Sequence, residues 1–384
     1  MTKLLTRFLR VQGTRLVMGV FRLLPLKKNT MFFSAYEGKQ YSCNPRAVFE
    51  AACKDPAFRE FQFIWELNDR EKRGLIDCPN VRFVEHNSLA YFRAVMTSKY
   101  LIVNSGLSCR FPLRRSQVNI NTWHGGGAFK RVGNALKSDM SGDLYELEIA
   151  AKQTTWFLSS SRIFTDVMID SVLIPRERFL PIGMPRNDLF FDKPRCRALR
   201  GKVLERYGLS QEDFLVLYAP TYRGAVGTDS WDASRLDMEA LRQAVCRKFG
   251  RKAVILVRMH YFNPPKDQPG GAVSVSDYPD MQELLAAADM LVTDYSSSMW
   301  DFCLTGKPCL LYTPDLDSYD LERGFYSSPY TWPGLVCKTN EELCRAVAEL
   351  DEAAYAQKLR DYLHDAGSYD QGTAAKSLLD ILKK

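Results

Sequence analysis

Two of the four histidines in this chain follow apolar segments that have the composition of β-strands. The first, His124, precedes three glycines, residues 125–127, and then the cations Lys130 and Arg131. An imidazole with its ordinary pKa of about 6.5 can act as a general base near neutral pH. Glycine backbone that approaches a ligand closely, together with two cations, suits a phosphate group. The pattern predicts an acid–base site beside a phosphate, although a glycine turn with a structural histidine would have the same sequence.

The second histidine of this kind, His260, ends the apolar segment Val257–His260 in the other half of the chain. A single histidine at a strand end is usually structural. Two histidines that end strands in different halves of the chain are less easily explained in this way, and we interpret both as functional. His86 and His364 have less informative neighbours, and we expect them at the surface.

A third strand end carries a cluster of hydroxyl groups. The apolar residues 290–293 run into Asp294, Tyr295 and three serines, and a helical pattern follows. Ser296 and Ser297 would lie where the first amides of that helix point outward, and amides, hydroxyls and the helix dipole together bind anions. The same serines also fit a helix N-cap, and the two roles are compatible.

A fourth strand end presents Arg223, which follows the apolar segment 214–220. A fixed guanidinium group binds a phosphate well, but it equally forms structural salt bridges. Asp315 and Asp317 have the D-x-D spacing of metal-dependent sugar transferases. So short a pattern arises easily by chance, and we expect no metal site.

The elements that position these residues follow from the pattern of the whole chain. Short apolar segments alternate with helical patterns from residue 31 onward, which predicts parallel sheets with helices on both faces. A length of 384 residues suits two domains. We predict an α/β fold of two doubly wound parallel-sheet domains, residues 30–192 and 193–384, that face a central cleft. Ligands of such sheets bind beyond the carboxyl ends of the strands.

The first 29 residues have a character of their own. They contain seven lysines and arginines and no acidic residue, in a chain with a formal net charge of +7. Their apolar residues recur at helical spacing but form no run long enough to cross a bilayer. We predict a basic amphipathic pair of helices, interrupted near Gly13, on the anionic cytoplasmic face of a membrane. A helix that only caps the first domain is the alternative.

The ten cysteines are scattered along the chain and include no C-x-x-C pair. Their spacing does not match structural zinc sites, and a disulfide framework is not expected in a chain of this length. We expect reduced thiols.

Taken together, these segments resemble the motifs of the CDP-glycerol glycerophosphotransferase family of teichoic-acid and capsule enzymes. The family motifs resemble T-W-H-G-T-x-x-K-x-x-G, G-x-P-R-N-D, Y-A-P-T-[WY]-R, a strand-end histidine, T-D-Y-S-S-x-x-x-D-[FY], K-P and R-G-F-Y. Their counterparts here are Thr122–Gly133, Gly183–Asp188, Tyr218–Arg223, His260, Thr293–Phe302, Lys307–Pro308 and Arg323–Tyr326. The first motif departs from the family, because three glycines follow His124 where the family usually has Gly-Thr.

The resemblance implies a GT-B fold in which the C-terminal domain binds the CDP donor. It implies that His124 is the general base and that His260, Ser296 and Ser297 bind the donor diphosphate. We further predict donor-side roles for Asp294, Arg323, Lys130 and Arg223, and acceptor-side roles for Gly125, Gly126, Asn187 and Asp188.

The resemblance also implies the reaction. Glycerol phosphate, or another polyol phosphate, would pass from CDP-glycerol or CDP-ribitol to a hydroxyl group of a lipid-linked saccharide or polymer, with release of CMP. His124 would remove the hydroxyl proton as the oxygen attacks the β-phosphorus. No cofactor and no nucleic-acid partner are expected, and the sequence does not indicate an oligomeric state.

Two other functions fit parts of the pattern. A GT-B glycosyltransferase that uses a nucleotide sugar would have the same two domains, but the T-D-Y-S-S segment resembles phosphotransferases more than sugar transferases. A membrane-bound protein that binds nucleotides or polymer without catalysis would tolerate changes at both strand-end histidines.

Overall fold

The computed structural model describes residues 2–136, 141–221, 236–259 and 271–383. The chain forms two compact units. Unit 1 consists of residues 1–124, 132–188 and 369–384, and unit 2 consists of residues 125–131 and 189–368. This division differs from the predicted domains, because residues 125–131 and 189–192 belong to unit 2, whereas residues 1–29 and 369–384 belong to unit 1.

The sheet of unit 1 has seven parallel strands. They are β1 (Lys27–Ser34), β2 (Gln62–Glu66), β3 (Val81–Val84), β4 (Ser98–Val103), β5 (Val118–Asn121), β6 (Trp156–Leu158) and β7 (Phe179–Leu180). Their order across the sheet is β3-β2-β1-β4-β5-β6-β7. The strand order reverses between β1 and β4, which is where ligands of doubly wound sheets bind.

Helices cover both faces of this sheet. Met31 and Phe33 of β1 pack into one buried cluster, whereas Phe32 packs into another cluster on the opposite face. A strand that is buried on both sides reads as a continuous apolar run, and this explains why the predicted strands lack alternation. The first five helices are α1 (Thr2–Gly19), α2 (Cys43–Lys54), α3 (Leu89–Thr97), α4 (Ser141–Gln153) and α5 (Arg162–Val172).

Unit 2 contains a second parallel sheet, with six strands. The strands are β8 (Phe214–Tyr218), β9 (Ala253–Val257), β10 (Val273–Ser274), β11 (Met290–Thr293), β12 (Cys309–Tyr312) and β13 (Leu335–Cys337), in the order β10-β9-β8-β11-β12-β13. The helices are α6 (Lys193–Tyr207), α7 (Met238–Phe249), α8 (Met281–Ala287), α9 (Ser298–Cys303), α10 (Leu316–Glu322), α11 (Asn340–Ala348) and α12 (Glu352–Ala366).

Alternate residues of β8 also pack into two different buried clusters, so the sheet of unit 2 is covered on both faces as well. The predicted fold class, two doubly wound parallel-sheet domains, is confirmed.

The C-terminus returns to unit 1. Helix α13 (Ala374–Leu382) packs Leu378 and Leu379 into the same buried cluster as Met31 and Phe33 of β1. Asp188 caps this helix, because its two carboxylate oxygens accept the backbone N–H groups of Ala374 and Ala375, each at 2.9 Å.

The basic N-terminal segment forms one continuous helix, α1, and a short 3₁₀ turn, Val20–Leu23. The predicted interruption near Gly13 is therefore wrong. Val11 is buried against unit 1, and Arg7 forms an ion pair with Glu146 at 2.7 Å. Within the described residues, no helix combines the length and the apolar character needed to span a bilayer.

One pair of cysteines contradicts the expectation of reduced thiols. Cys53, near the end of α2, and Cys78, before β3, form a disulfide with their Cα atoms 6.2 Å apart. The bond joins the end of a helix to the loop before a neighbouring strand of unit 1. The other eight cysteines are free thiols.

Candidate functional site

Three adjacent strands of unit 1 bring polar residues to one edge of the sheet. Tyr36 lies just beyond β1, Asn104 follows β4, and His124 lies just beyond β5. Since β4 lies between β1 and β5, the residues that follow these three strands are neighbours at the carboxyl edge. This is the edge at which parallel sheets bind ligands.

A hydrogen bond to the main chain determines which nitrogen of the neutral His124 imidazole carries the proton. Nδ1 lies 2.8 Å from the carbonyl oxygen of Asn104. A carbonyl oxygen only accepts hydrogen bonds, so Nδ1 carries the proton and Nε2 of the neutral ring carries the lone pair. His124 therefore has the tautomer that a general base needs, with Nε2 as the proton acceptor.

Two aromatic rings fix the orientation of this imidazole. The indole of Trp123 stacks on it with the ring centroids 4.6 Å apart, and the ring of Tyr36 meets it edge-on at 5.8 Å. Both aromatic residues have positive φ angles, +53° and +50°. Left-handed backbone costs free energy in bulky residues and is concentrated at functional sites. The imidazole is thus held by a hydrogen bond and by two neighbours on a constrained backbone.

Side chains from distant segments hold the carbonyl groups that follow β5. Nδ2 of Asn44 donates to the carbonyls of Thr122 at 2.9 Å and Trp123 at 3.0 Å. Nη1 of Arg186 donates to the carbonyl of His124 at 2.9 Å. Buried backbone carbonyls beyond the end of a strand need such partners. Asn44 and Arg186 therefore fix the path of the loop that carries His124.

Asn44, Asn104 and Arg186 were not among the predicted site residues. Arg186 lies inside the G-x-P-R-N-D motif, so its place beside two predicted residues was the only available signal. Asn44 and Asn104 belong to no motif, because their roles arise from contacts between segments far apart in the chain.

The predicted acceptor-side residues Asn187 and Asp188 form hydrogen bonds within unit 1. Asn187 is buried, and its N–H donates to the carbonyl of Met184 at 2.8 Å. The carboxylate of Asp188 caps α13, and burial raises its pKa, opposed by the two amide hydrogen bonds from that helix. These contacts give Asp188 a structural role, and a direct role toward an acceptor stays a prediction for both residues.

The two remaining histidines differ from each other. His364 has an exposed side chain, as predicted. His86 was predicted as a surface residue, but its Nδ1 contacts the carboxylate of Glu66, which is buried at the end of β2. Burial raises the pKa of Glu66, and hydrogen bonds from Ser34 and His86 oppose this effect. His86 is therefore one of two hydrogen-bond partners, with Ser34, of a buried carboxyl group.

The glycines that follow His124 belong to unit 2. A Cβ atom on Gly126 would lie 2.3 Å from Cδ1 of Trp300, which is buried in α9. Close packing against an indole thus requires glycine at this position. The acceptor-side prediction grouped Gly125 and Gly126 with the first domain, and the structure instead assigns them to unit 2.

Two segments that carry predicted phosphate-binding cations, residues 129–131 and 323–326, pair through their backbones within unit 2. Lys130 forms an antiparallel bridge with Phe325. The N–H of Arg131 donates to the carbonyl of Gly324 at 3.1 Å, and the N–H of Tyr326 donates to the carbonyl of Phe129 at 2.9 Å. This pairing brings the segment with Lys130 to the segment that begins with Arg323, and the exposed side chain of Arg323 lies at its end.

Buried aromatic rings support this paired segment. Phe129 packs on Trp332 with the ring centroids 4.8 Å apart, and Phe325 contacts the same indole at 5.1 Å. Tyr295 stacks on Tyr319 at 4.1 Å and contacts Phe325 at 5.3 Å. Lys130 and Arg323 are therefore carried by backbone that rests on a rigid aromatic cluster.

The serine cluster opens α9 as predicted. Oγ of Ser296 accepts the N–H of Ser298 at 3.2 Å and its hydroxyl at 2.9 Å. Ser297 immediately precedes the helix, and both Ser296 and Ser297 are partly exposed. Ser297 occupies the N-cap position without a side-chain capping bond, and the hydroxyl of Ser296, one residue earlier, accepts the first amide of the helix instead.

Asp294 holds the loop that follows the neighbouring strand β8. Its two carboxylate oxygens accept the N–H of Thr221 at 3.0 and 2.9 Å, and one of them also accepts the Thr221 hydroxyl. A carboxylate repels a phosphate, and this one is buried and already bound to Thr221. Asp294 therefore fixes the position of Thr221, and its role toward a donor phosphate stays a prediction.

Two predicted site residues lie in parts of the chain that the structure does not describe, and the two aspartates of the D-x-D segment contact other side chains. His260 and Arg223 lie outside the described residues. In the D-x-D segment, Asp315 accepts the hydroxyl of Tyr295 at 3.0 Å, and Asp317 forms an exposed ion pair with Lys338 at 3.4 Å.

Comparison with known proteins places these features in context. A family model described as CDP-glycerol:poly(glycerophosphate) glycerophosphotransferase matches residues 16–384. A teichoic acid poly(glycerol phosphate) polymerase of Bacillus spizizenii is 29% identical, and the match covers 98% of this chain and 97% of that protein. A teichoic acid glycerol-phosphate transferase of Staphylococcus aureus is 29% identical over 93% of both chains.

Other relatives are longer than this chain. It spans 45% of the length of a poly(glycerol phosphate) polymerase of Bacillus subtilis, to which it is 28% identical. Among solved structures, one of the wall teichoic acid polymerase TagF, soaked with CDPG, matches with a TM-score of 0.82 and 25% identity. That match covers 100% of this chain and 97% of the other.

Proposed function

Because the chain belongs to the CDP-glycerol:poly(glycerophosphate) glycerophosphotransferase family, we propose that it transfers glycerol phosphate, or another polyol phosphate, from CDP-glycerol to a hydroxyl group. CMP is the second product, and the acceptor is a lipid-linked saccharide or polymer of teichoic acid or capsule synthesis. The observation that carries this proposal is the family match over residues 16–384. The tautomer of His124 supports it, because it makes Nε2 a proton acceptor.

His124 acts as the general base in this reaction. Its Nε2 takes the proton of the acceptor hydroxyl group while the hydroxyl oxygen forms a bond to the β-phosphorus of the donor. The bond between that phosphorus and the bridging oxygen breaks, and CMP leaves with the electron pair. The proton on Nε2 then passes to solvent, which restores the neutral imidazole.

Unit 2 supplies the groups that stabilise the donor phosphates. Negative charge grows on the bridging oxygen as CMP leaves, and fixed cations and hydroxyl groups lower the energy of that state. Lys130 and Arg323 are the cations on the paired segment, and Ser296 and Ser297 lie at the start of α9. His260 and Arg223 join them in this proposal on the strength of their motifs alone.

The first 29 residues attach the enzyme to the cytoplasmic face of the membrane, where its lipid-linked acceptor is found. Leu16 and Leu23 are 79% and 86% exposed, and Leu5, Leu9 and Val20 are also exposed. Exposed basic residues accompany them: Arg10, Arg22, Lys27 and Lys28. Anionic lipid fits this surface, because it binds apolar side chains and cations together.

The test of catalysis is CMP release from CDP-glycerol in the presence of a lipid-linked acceptor, measured for His124→Ala. We expect turnover to fall by about 100-fold or more, in line with the loss of a general base. His364→Ala is the matched control, because that side chain is 89% exposed, and its turnover should equal that of the unaltered protein. Full activity of His124→Ala would remove the base assignment.

The identity of the donor separates this proposal from the glycosyltransferase alternative. Thermal unfolding is measured with CDP-glycerol, CDP-ribitol and UDP-sugars, since a ligand that binds the folded state raises the unfolding temperature. Stabilisation by a CDP-polyol alone supports phosphotransfer, and stabilisation by a UDP-sugar alone contradicts it. Mass spectrometry of the product then identifies the polyol that is transferred.

A further inference from the structure

Asn104 contacts the imidazole of His124 directly and also through a second residue. Its carbonyl oxygen accepts the Nδ1–H group of His124 at 2.8 Å. Its side-chain Oδ1 accepts the backbone N–H of Tyr36 at 2.9 Å, and the ring of Tyr36 meets the imidazole edge-on. Asn104 therefore contacts the imidazole through its own carbonyl group, and it also holds Tyr36, one of the two aromatic residues beside the imidazole. The other aromatic residue is Trp123.

The orientation of the Asn104 side chain follows from the chemistry of its partners. The backbone N–H of Tyr36 is a donor, so the amide atom that faces it has to be Oδ1. The hydroxyl of Ser105 adds a second hydrogen bond to Oδ1 at 3.2 Å. Nδ2 has no hydrogen-bond partner among the described residues, although the side chain is fully buried. A half-satisfied buried amide opposes folding, so stability alone does not explain an asparagine here.

The turn that Asn104 holds is a strained one. Tyr36 and Glu37 have φ angles of +50° and +57°, in the left-handed region that non-glycine residues rarely adopt. Two such residues in succession persist only where surrounding bonds hold them. The hydrogen bond from Tyr36 to Asn104 is one of these bonds, and without it the turn relaxes and the Tyr36 ring moves away from His124.

We propose that Asn104 is a positioning residue, which keeps His124 in the Nδ1–H tautomer and in a single ring orientation. The inference rests on the proposed function of His124 as the general base. Asn104 itself does not contact the reacting atoms in this proposal. Its side chain fixes Tyr36 and the end of β4, and its carbonyl fixes Nδ1, so that Nε2 always faces the same direction.

The kinetic test is Asn104→Ala, assayed for CMP release from CDP-glycerol. Small displacements of a catalytic group cost about 10- to 100-fold in rate, and we expect kcat to fall by about that factor. The KM for CDP-glycerol should stay within about twofold, because a misplaced base affects the chemical step rather than uniform binding. An unchanged kcat would overturn the proposal.

Asn119→Ala is the matched control for a purely structural effect. Asn119 is also a buried asparagine of unit 1, on β5, with one side-chain hydrogen bond to the carbonyl of Gln153 at 3.2 Å and one unpartnered amide atom, Oδ1. Its loss should lower the unfolding temperature without changing kcat. An equal loss of kcat in both variants would show a general effect of removing buried amides and would contradict a specific role for Asn104.

A spectroscopic measurement keeps the proposal testable even if Asn104→Ala does not fold. The chain has only four histidines, so ¹⁵N-histidine spectra are simple, and His124→Gln identifies the His124 signals. The unaltered protein should show His124 as the Nδ1–H tautomer at alkaline pH, and Asn104→Ala should show a mixture. An Nε2–H tautomer in the unaltered protein contradicts the inference directly.

The two proposals fail in different ways. If His124→Ala keeps full turnover, the proposed base is wrong whatever Asn104 does. If His124→Ala is inactive while Asn104→Ala keeps its kcat and its tautomer, only the positioning role is wrong.

Discussion

At the scale of single residues, three separate segments hold the His124 loop and its imidazole. The side chains of Asn44 and Arg186 donate to main-chain carbonyls of the loop, and the main-chain carbonyl of Asn104 accepts the Nδ1–H of His124. Main-chain partners constrain the path of the loop itself, so any one of these contacts influences where the imidazole lies. A base that must meet a hydroxyl group within hydrogen-bond reach benefits from this kind of support.

Gly126 gives a prediction at this scale. Gly126→Ala should lower the free energy of unfolding by about 1–3 kcal/mol, because its Cβ would overlap the buried Trp300 ring and force repacking. Turnover should fall as well, since the same segment carries Lys130. Urea denaturation and the CMP-release assay measure the two effects.

The control is Gly201→Ala in α6, where a new Cβ would meet nothing within 4 Å. Replacement of a helical glycine by alanine should raise the free energy of unfolding by about 0.5–1 kcal/mol. Equal stability of the two variants would contradict the packing role of Gly126.

The residue types at the strand ends were predictable, and their partners were not. His124, Ser296 and Lys130 were found because their neighbours in sequence match a known chemistry. The contacts of Asp294 were not predictable, because the sequence does not show that Thr221 donates to both oxygens of its carboxylate. Contacts of this kind depend on which strands are neighbours, and no local pattern encodes the order of strands in a sheet.

At the scale of elements, α1 has two sides of different character. One side carries Val11 and the ion pair of Arg7 with Glu146, which attach the helix to unit 1. The other side carries the exposed leucines. The helical spacing of the sequence predicted an amphipathic pair of helices with a break near Gly13, and this break does not occur. A glycine inside a helix costs only about 1 kcal/mol, which the contacts on either side of it offset.

The exposed side of α1 gives a prediction for membrane binding. Replacing Leu5, Leu16 and Leu23 by asparagine should weaken binding to phosphatidylglycerol vesicles by about tenfold or more, because each buried leucine contributes free energy to insertion. Cosedimentation measures the effect, and CMP release with a short water-soluble acceptor should be unchanged. Leu321→Asn is the control, since Leu321 is 78% exposed on unit 2. Equal vesicle binding by the triple variant and the control would exclude α1 as the membrane contact.

At the scale of the whole molecule, the chain passes between the two units four times. The alternation of strands and helices predicted two doubly wound sheets correctly. It did not predict that residues 125–131 belong to unit 2 or that the C-terminal helix returns to unit 1. Both exceptions depend on tertiary packing, namely Gly126 against Trp300 and Leu378 against the core of unit 1.

The return of the C-terminus gives a prediction for pH. Burial raises the pKa of Asp188 above its ordinary value of 3.8, so the folded protein binds this proton more tightly than the unfolded chain. The stabilisation from Asp188 is complete below the unfolded pKa and is lost as the pH rises through the folded pKa. As the pH rises above the unfolded pKa of about 3.8, the free energy of unfolding of the unaltered protein should therefore fall relative to that of Asp188→Asn.

Asp55 provides a contrast of opposite sign. Its hydrogen bond from Lys383, near the C-terminus, lowers its pKa, so its stabilisation is present above the unfolded pKa and is lost as the pH falls. Relative to Asp55→Asn, the unaltered protein should gain stability as the pH rises from the folded pKa of Asp55 to its unfolded pKa of about 3.8. Urea denaturation at a series of pH values tests both variants, and trends of the same sign would contradict the assignment.

The return of the C-terminus also has a consequence for biosynthesis. Nearly all of unit 2 is one continuous stretch, residues 189–368, whereas unit 1 lacks α13 until the ribosome has translated residues 374–382. Domains usually fold in the order in which they are synthesised. Here unit 2 is complete first, and in unit 1 the part of the core that α13 covers stays exposed until the end of translation. Chaperones that bind exposed apolar surface during translation would therefore act on the N-terminal half of this enzyme.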